Sequence, residues 1–533
     1  MNDLVFRSVR PRSAWSRSFL RALWPVLLLV GLGLVAQAAA TRDETTKNFK
    51  KYFGTYKDVP SRVEAVLSLE GVDDKEVVEL LVPILKDPES EIVRAAVRIL
   101  AKLPSPGTIE ALFAAYKTEK SELVRVGILR ATGEGKYDGT LALAQSALTD
   151  KSWEVRRHAL QVIESTKDAA AAAACQPLLD DPEPAVRGQA LETLTVLGSE
   201  AVVAKACALL SDPIWQVRAS AIQALTKIRH ASALQPLVDR LQVEEGVLAP
   251  QIVEALANLT GLELVEPAAW KNWWEANKAT FVLPKAEAIA YMRGKREATT
   301  GKAKWDYAKS GVADYHGINT PSRSVLFVID VSGSMEAEVV EKERFSDGNY
   351  PSYQRIDIVK TELQRTIDRL APYVNFNVVA FATKIDPWKK GKLVPANVLN
   401  KSAAKDWAKG LVAIGGSSKE DLASAGLIGA ANLDMGKTNT FGAIMTAMGI
   451  DPTKGPQTGD KDYKTEVDTI FFLSDGRPTV GEFVDPDDIL REVKAANELR
   501  KITIHTIAIG EFQKDFMRKM AEENGGQFVD LGK

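Results

Sequence analysis

The sequence predicts a multidomain protein in which an α-solenoid is followed by an α/β domain with a doubly wound, mostly parallel, Rossmann-like sheet. A helical pattern repeats every 31 residues between residues 61 and 262, which is typical of solenoids. From residue 323 to residue 533, apolar strands alternate with amphipathic helices, which favours a parallel sheet covered on both faces. The length of 533 residues suits about three domains.

The first forty residues have the pattern of a secretory signal. Five arginines lie between residues 7 and 21, and an apolar run from Ala22 to Ala40 follows them and ends in small residues. Ala36-Gln37-Ala38 and Ala38-Ala39-Ala40 both fit a cleavage site. We therefore expect an exported protein that is periplasmic, on the cell surface or secreted, with a short segment at residues 41–60 before the repeats. An uncleaved membrane anchor is the alternative, because the apolar run is close to the minimum length that spans a bilayer.

Charge and cysteine content argue against two classes of protein. Lys and Arg total 68 against 70 Asp and Glu, so the basic excess of a dedicated nucleic-acid binder is missing and no nucleic-acid partner is expected. Two cysteines, Cys175 and Cys207, are too few for a disulfide-stapled scaffold. Their helical, alanine-rich surroundings favour buried, small apolar residues, and a cross-link between them is the alternative.

Within residues 61–262, a Val-Arg pair opens one helix in each of five successive repeats. The pairs are Val93-Arg94, Val124-Arg125, Val155-Arg156, Val186-Arg187 and Val217-Arg218. An acidic turn precedes several of them, and Asp150, Asp181 and Asp212 keep the same step of 31 residues. One turn and two amphipathic helices in each period predict a stack of helix pairs.

This pattern resembles HEAT-type repeats of the short bacterial kind. The resemblance implies that the repeated arginine pairs with the turn carboxylate of a neighbouring repeat, in preference to forming a basic ligand stripe. Solenoids bind other proteins on their concave face, so we expect a further protein partner to dock there.

Residues 263–283 predict a tryptophan-rich helix that caps the array. Trp270, Trp273 and Trp274 fall on one helix face, as a helix that seals the last repeat requires. Binding of sugars or cations by these side chains is the alternative. Residues 284–322 are polar and mixed in composition, and they predict a linker with some helix.

The segment 323–533 contains apolar strands at residues 324–330, 376–381, 469–475 and 502–510, with amphipathic helices at 355–370 and 485–500. The first strand ends at Asp330 and leads into Ser332 and Ser334, and Asp475 ends a second strand. In doubly wound sheets the ligand site lies at the carboxyl ends of the strands. Carboxylate and hydroxyl oxygens are hard donors that suit Mg²⁺.

Three stretches in this order, "FVIDVSGSM", "GKTNTFGAIMTAM" and "FFLSDGRPTVG", resemble the metal-ion-dependent adhesion site of von Willebrand factor type A domains. The resemblance implies that Ser332, Ser334 and Thr438 contact Mg²⁺, or alternatively Mn²⁺ or Ca²⁺, and that Asp330 and Asp475 act largely through water. It also implies that a protein ligand supplies a carboxylate to the open position. The junction before the domain is similar to that of bacterial exported proteins that combine HEAT repeats with this domain.

Two loops are longer than in a compact member of this family, at residues 336–354 and 415–435. Both adjoin the predicted metal face, so we expect them to shape the choice of partner. Gly436-Lys437-Thr438 also has the form of the end of a phosphate loop. That pattern requires a glycine where Ala431 stands, so no nucleotide is expected.

Together these features predict a non-catalytic, metal-dependent protein-binding, adhesion or scaffolding module. A metal-dependent hydrolase is one alternative, but it needs a general base near the bound water. His505, within a predicted strand, fits a packed strand residue better than a base. A structural solenoid whose α/β domain no longer binds metal is the other alternative.

Overall fold

The computed structural model describes residues 44–300, 313–415, 436–451, 463–510 and 514–531. The chain divides between Thr140 and Leu141 into two compact units, which are described separately. The predicted signal at residues 1–40 and most of the predicted loop 415–435 lie outside the described residues. Among the described residues, no helix combines the length and the apolar composition needed to cross a bilayer.

The first unit consists of short helices packed in pairs. Residues 44–52 are helical, and the helices that follow are α1 (Val59–Leu67), α2 (Lys75–Leu81), α3 (Ser90–Leu100), α4 (Pro106–Thr118) and α5 (Glu122–Gly135). Asp58 and Asp74 cap α1 and α2 by accepting hydrogen bonds from the backbone N–H groups of Ser61 and Glu76. The apolar faces meet in a core in which Ile92 and Leu112 are completely buried.

The second unit continues the helical array and then forms the sheet. Its array helices are α6 (Thr140–Ala147), α7 (Trp153–Thr166), α8 (Ala172–Cys175), α9 (Pro184–Val196), α10 (Val202–Leu209), α11 (Trp215–Ile228), α12 (Leu234–Leu241), α13 (Leu248–Thr260), α14 (Pro267–Asn277) and α15 (Ala286–Thr300). The helices that a Val-Arg pair opens, α7, α9 and α11, lie side by side. This order of elements confirms the predicted solenoid.

The repeated arginines pair with turn carboxylates of neighbouring repeats, as predicted. We call this series of pairs, made by Arg156, Arg187 and Arg218, the arginine ladder. Arg187 donates from Nε and Nη2 to both carboxylate oxygens of Asp212, at 2.9 and 3.1 Å, and from Nη1 to the carbonyl of Asp181, at 2.9 Å. Arg156 binds Asp181 in the same way, and Arg218 binds Glu244. The prediction that these arginines satisfy the turns of neighbouring repeats is therefore confirmed at these three positions.

Helix α14 seals the array through two of its tryptophans. Trp270 is completely buried and Trp274 nearly so. The indole N–H of Trp270 donates to the carbonyl of Leu264 at 2.8 Å, and that of Trp274 donates to Gln235 at 2.6 Å. Cys175 is buried and Cys207 partly buried, both as free thiols. Trp270, Trp274 and Cys175 are packed as the favoured interpretations require, whereas Cys207 is only partly buried.

A hairpin contains β1 (Ala313–Tyr315) and β2 (Ile318–Thr320). The sheet of the α/β domain, within the described residues, has seven strands: β3 (Ser324–Asp330), β4 (Asn375–Phe381), β5 (Ile385–Pro387), β6 (Val394–Pro395), β7 (Thr469–Ser474), β8 (Thr503–Ala508) and β9 (Phe528–Asp530). Their order is β5-β4-β3-β7-β8-β9, with β6 beside β4. Strands β3, β4, β7, β8 and β9 are parallel, and β5 and β6 run antiparallel to β4.

Helices cover both faces of this sheet, which confirms the doubly wound arrangement. One core contains Leu363 and Ala404 from α16 (Arg355–Arg369) and α17 (Val398–Lys409). The other contains Ile444, Ile489 and Met520 from α18 (Thr440–Ala447), α19 (Pro486–Arg500) and α20 (Lys514–Glu523). The central strands β3 and β7 are buried along almost their whole length, which explains their continuous apolar sequences.

The predicted linker at residues 284–322 is only partly a linker. Helix α15 agrees with the expected helical content, but the hairpin of β1 and β2 packs into the α/β core, where Tyr315 and Ile318 are completely buried. His316 and Gly317 form its two-residue turn, both with positive φ, as such turns require. Strands of three residues give too short a periodic pattern for sequence analysis to detect.

Within the second unit, the repeats contact the α/β domain near the amino ends of its strands. Tyr463 packs against Trp153 of α7, with ring centroids 5.6 Å apart, and its hydroxyl donates to Glu183. Lys501, which precedes β8, donates to Glu192 of α9 at 2.6 Å. These contacts lie at the opposite end of the strands from the predicted metal residues.

Candidate functional site

Strands β3 and β7 bring the two predicted aspartates to the same edge of the sheet. The two strands pair in parallel, with Ile329 opposite Leu473. Asp330 ends β3 and Asp475 follows directly after β7. Because parallel strands end at the same edge, residues that are far apart in the chain become neighbours there.

Asp330 is completely buried, and its carboxylate is held by two donors. Its Oδ1 accepts from the backbone N–H of Ser332 at 2.8 Å, and its Oδ2 accepts from the hydroxyl of Ser474 at 2.5 Å. Burial, and then the negative charge of Asp475, raise the pKa of the Asp330 carboxyl. Sequence analysis missed Ser474, although it stands next to Asp475 in the "SDG" stretch.

The three predicted hydroxyls lie around one small space at this edge. The Oγ atoms of Ser332 and Ser334 are 3.1 Å apart, and Ser334 Oγ donates to Asp475 Oδ1 at 2.7 Å. A Cβ atom on Gly476 would lie 3.4 Å from Ser334 Oγ and 3.5 Å from Thr438 Oγ1. The structure therefore brings all five predicted residues together, and Gly476 keeps the space between two of the hydroxyls open.

The loop that carries Thr438 is fixed by its backbone. The N–H of Thr438 donates to the hydroxyl of Thr479 at 2.8 Å, and the N–H of Thr479 donates to the carbonyl of Thr438 at 2.9 Å. Asn439 then caps α18 by accepting from the N–H of Gly442 at 2.9 Å. The segment that looks like the end of a phosphate loop is thus a loop leading into a helix, and Lys437 is exposed within it.

The spacing of the two serine hydroxyls is compatible with a shared magnesium ion. Neighbouring oxygens in an octahedral shell with Mg–O distances of about 2.1 Å lie about 3.0 Å apart, which is close to the 3.1 Å between Ser332 Oγ and Ser334 Oγ. Asp330, Ser332, Thr438 and Asp475 are buried, whereas Ser334 is exposed. Any ion held here would therefore be reached from the side of Ser334. Clusters of three or more His, Cys, Asp or Glu side chains suited to a metal are absent from the described residues, so hydroxyls are essential to this candidate site.

Arg355 is a further residue at the site that sequence analysis missed. It is the first residue of α16, and its Nη1 donates to Asp475 Oδ2 at 2.7 Å. The Arg355 side chain is 11% exposed and that of Asp475 is completely buried. No local pattern connects these two residues, which are 120 positions apart in the chain.

His505 lies away from the candidate site, as predicted for a packed strand residue. It is buried in β8 opposite Phe471, and its Nδ1 accepts from the N–H of Gln527 at 3.0 Å. Burial lowers the pKa of its imidazole to about 4. Phe471 precedes Asp475 by four residues, a separation of about 13 Å along a strand.

The two ends of the long loop 336–354 are hydrogen-bonded to each other. The N–H of Val339 donates to the carbonyl of Tyr353 at 2.9 Å, and the N–H of Arg355 donates to the carbonyl of Ala337 at 3.0 Å. Phe345 is buried in the α/β core. The loop is therefore anchored beside the metal-site residues, and its role in the choice of partner stays a prediction.

The repeat array and the strand order together define a helical repeat protein with a doubly wound, Rossmann-like α/β domain. The family model for HEAT repeats matches residues 57–133 and 172–257, and the family model for the von Willebrand factor type A domain matches residues 323–530. The chain therefore carries HEAT repeats followed by a von Willebrand factor type A domain, hereafter the A domain.

The chain is similar to inter-alpha-trypsin inhibitor heavy chains. It is 28% identical to heavy chain H4 of Homo sapiens over 211 residues and 27% identical to heavy chain H1 of Mesocricetus auratus over 207 residues. These matches cover 39% and 38% of this chain but only 18% of each relative. A solved structure, the von Willebrand factor type A protein from Catenulispora acidiphila, is 18% identical, has a TM-score of 0.27, and is matched over 40% of this chain and 39% of its own.

Proposed function

We propose that this protein is a non-catalytic, divalent-metal-dependent binding module that holds a protein partner at the carboxyl edge of its A domain. The observation that carries the proposal is the convergence of Asp330, Ser332, Ser334, Thr438 and Asp475 on one small space. HEAT repeats and A domains both suit protein interaction, and further protein docking on the repeats is part of the proposal.

The ligand set supports binding more than hydrolysis. Asp330 and Asp475 are the carboxylates of the set, and each already accepts two hydrogen bonds from protein groups. The hydroxyls leave a bound Mg²⁺, Mn²⁺ or Ca²⁺ electron-poor, and such an ion would bind a carboxylate from a partner. His505 is too deeply buried in β8 to accept a proton from water at this edge.

The contacts between repeats and A domain leave this edge free for a partner. Tyr463 and Lys501 contact the repeats near the amino ends of β7 and β8. A strand of six residues is about 20 Å long, which separates these contacts from the metal-site residues. The proposed partner can therefore reach Ser334 without breaking these contacts with the repeats of the second unit.

Export is a second part of the proposal. It rests on the five arginines, the apolar run and the two cleavage patterns within residues 1–40. Cleavage would leave a periplasmic, cell-surface or secreted protein, and retention would leave it anchored. N-terminal sequencing of the protein from its native cells distinguishes the two, and an unprocessed chain in the cytoplasm would contradict export.

Titration of Mg²⁺ into the full-length protein tests the metal site. We expect isothermal calorimetry to detect binding to the wild type, and Asp330→Asn and Ser334→Ala to weaken it by about 10- to 100-fold. Ser334 is exposed, so its variant should fold normally even if Asp330→Asn does not. The matched control is Ser346→Ala, which removes another exposed hydroxyl from the same loop region.

Equal Mg²⁺ affinity in Ser334→Ala and Ser346→Ala would contradict the proposed metal site. The partner is tested separately, by capture from the envelope fraction of native cells. A true partner should be released by a chelator and should not be retained by Ser334→Ala. Retention of the same protein in both conditions would show binding that does not depend on the metal.

A further inference from the structure

Arg355 places a positive charge directly behind the candidate metal site. Its Nη1 donates to Asp475 Oδ2 at 2.7 Å, while Asp475 Oδ1 accepts from Ser334 Oγ, also at 2.7 Å. One oxygen of Asp475 therefore faces the hydroxyls and the other faces the guanidinium. The Arg355 side chain is 11% exposed, so solvent screens this charge only weakly.

The position of Arg355 is unfavourable for its own helix. It is the first residue of α16, where the partial positive charge of the helix dipole disfavours a cation. A Cβ atom on Gly510 would lie 3.5 Å from Arg355 Cζ and 3.0 Å from the carbonyl oxygen of Asp475, so the absence of a side chain there leaves room for the pair. The ion pair with Asp475 explains why an arginine stands at this position, since the helix itself would be more stable without a cation there.

The net charge of the site depends on this residue. When both carboxyl groups are ionised, Asp330 and Asp475 contribute two negative charges, and Arg355 reduces the total to one. With a divalent cation bound, the site would carry a net positive charge of one, whereas without Arg355 it would be neutral. A residual positive charge at short range weakens the binding of the ion and strengthens the binding of an anion.

We propose that Arg355 couples the two ligands of this site: it lowers the affinity for the divalent ion alone and raises the affinity of the ion-loaded site for a carboxylate. The proposal rests on the metal-binding function proposed above. Because linkage is reciprocal, a carboxylate that binds the ion-loaded site more tightly than the empty site also increases the affinity for the ion. The partner and the ion would then each bind more tightly in the presence of the other.

Calorimetric titration of the full-length protein with Mg²⁺, in the presence of either acetate or chloride, tests this role. In the wild type, acetate should increase the Mg²⁺ affinity. In Arg355→Gln, Mg²⁺ in chloride should bind at least about fivefold more tightly than in the wild type, and acetate should increase the Mg²⁺ affinity by a smaller factor than it does in the wild type. Arg355→Lys keeps the charge and should retain the response to acetate.

The matched control is Arg365→Gln, on the same helix, whose guanidinium pairs with Glu362. It should behave as the wild type. Equal or weaker Mg²⁺ binding by Arg355→Gln would overturn the coupling role and leave Arg355 at most a residue that positions Asp475, while the metal site itself would stand. Failure of the wild type to bind Mg²⁺ would instead overturn the proposed function.

Discussion

Gly476 is the residue on which the space for an ion depends most directly. It follows Asp475, and a methyl group there would lie 3.4 Å from Ser334 Oγ and 3.5 Å from Thr438 Oγ1. These are ordinary van der Waals distances, so the protein without metal tolerates the methyl group. An ion bound to both hydroxyls at about 2.1 Å would not tolerate it.

Gly476→Ala should therefore separate metal binding from stability. We expect the Mg²⁺ affinity to fall by more than about tenfold, while the free energy of unfolding changes by less than about 1 kcal/mol. Calorimetry and urea denaturation of the full-length protein measure the two quantities. Gly54→Ala, where a Cβ atom has no neighbour within 4 Å, is the control. Unchanged Mg²⁺ affinity in Gly476→Ala would mean that the ion, if bound, lies elsewhere.

At the scale of elements, the arginine ladder joins neighbouring repeats of the second unit at three positions. Arg187 is 14% exposed and Asp212 is 4% exposed as side chains, and the arginine also binds the carbonyl of Asp181 at the start of its own repeat. Asp212 in turn accepts from the N–H of Ile214 at 2.9 Å. Each of the three arginines of the ladder therefore satisfies two turns at once, which explains their recurrence with the helical period.

Loss of one member of the ladder should loosen the array locally. Arg187→Ala removes the cation that pairs with the buried carboxylate of Asp212. We therefore expect the free energy of opening of helices α9 and α11 to fall by about 1–3 kcal/mol. Hydrogen exchange of these helices measures it. The control is Lys205→Ala, which breaks an exposed pair with Asp180 and should cost less than about 1 kcal/mol. Equal effects of the two variants would show that the ladder adds nothing beyond a surface ion pair.

At the scale of the whole molecule, the second unit contains both the later repeats and the A domain. The contacts between them combine an aromatic pair, Tyr463 with Trp153, and ion pairs such as Arg157 with Glu498 at 3.0 Å. They cover part of the faces of α7 and α9, so these parts are not free for another protein. Any further partner of the repeats must use other surfaces of the array.

A charge exchange tests this contact. Lys501 is 19% exposed and Glu192 is 28% exposed, so Lys501→Glu or Glu192→Lys alone places like charges together and should increase hydrogen exchange in α9 and in residues 463–468. The double exchange should restore protection, because the pair is re-formed with its charges reversed. Lys519→Glu, in a long, exposed pair with Asp487, is the control. Unchanged exchange in both single variants would contradict the contact.

Much of this architecture follows from local patterns. The strand at 324–330 has its predicted bounds, because a central parallel strand is apolar on both faces and ends where its polar loop begins. The Asp-x-Ser-x-Ser loop and Asp475 follow strand ends and were therefore expected at one edge, whereas Thr438 was added by the resemblance to A domains. The hairpin at 313–320 was missed because three-residue strands carry almost no periodic signal.

The sequence alone determined the solenoid and the doubly wound sheet, and it placed Asp330 and Asp475 at one edge, because periodicity and strand ends are encoded within short stretches. Only the tertiary structure decided the surroundings of the site: Ser474 holding Asp330, Arg355 neutralising Asp475, and the repeats contacting the amino ends of the strands. These are contacts between residues distant in the chain. Their geometry depends on how whole elements pack, and no short stretch of sequence records that packing.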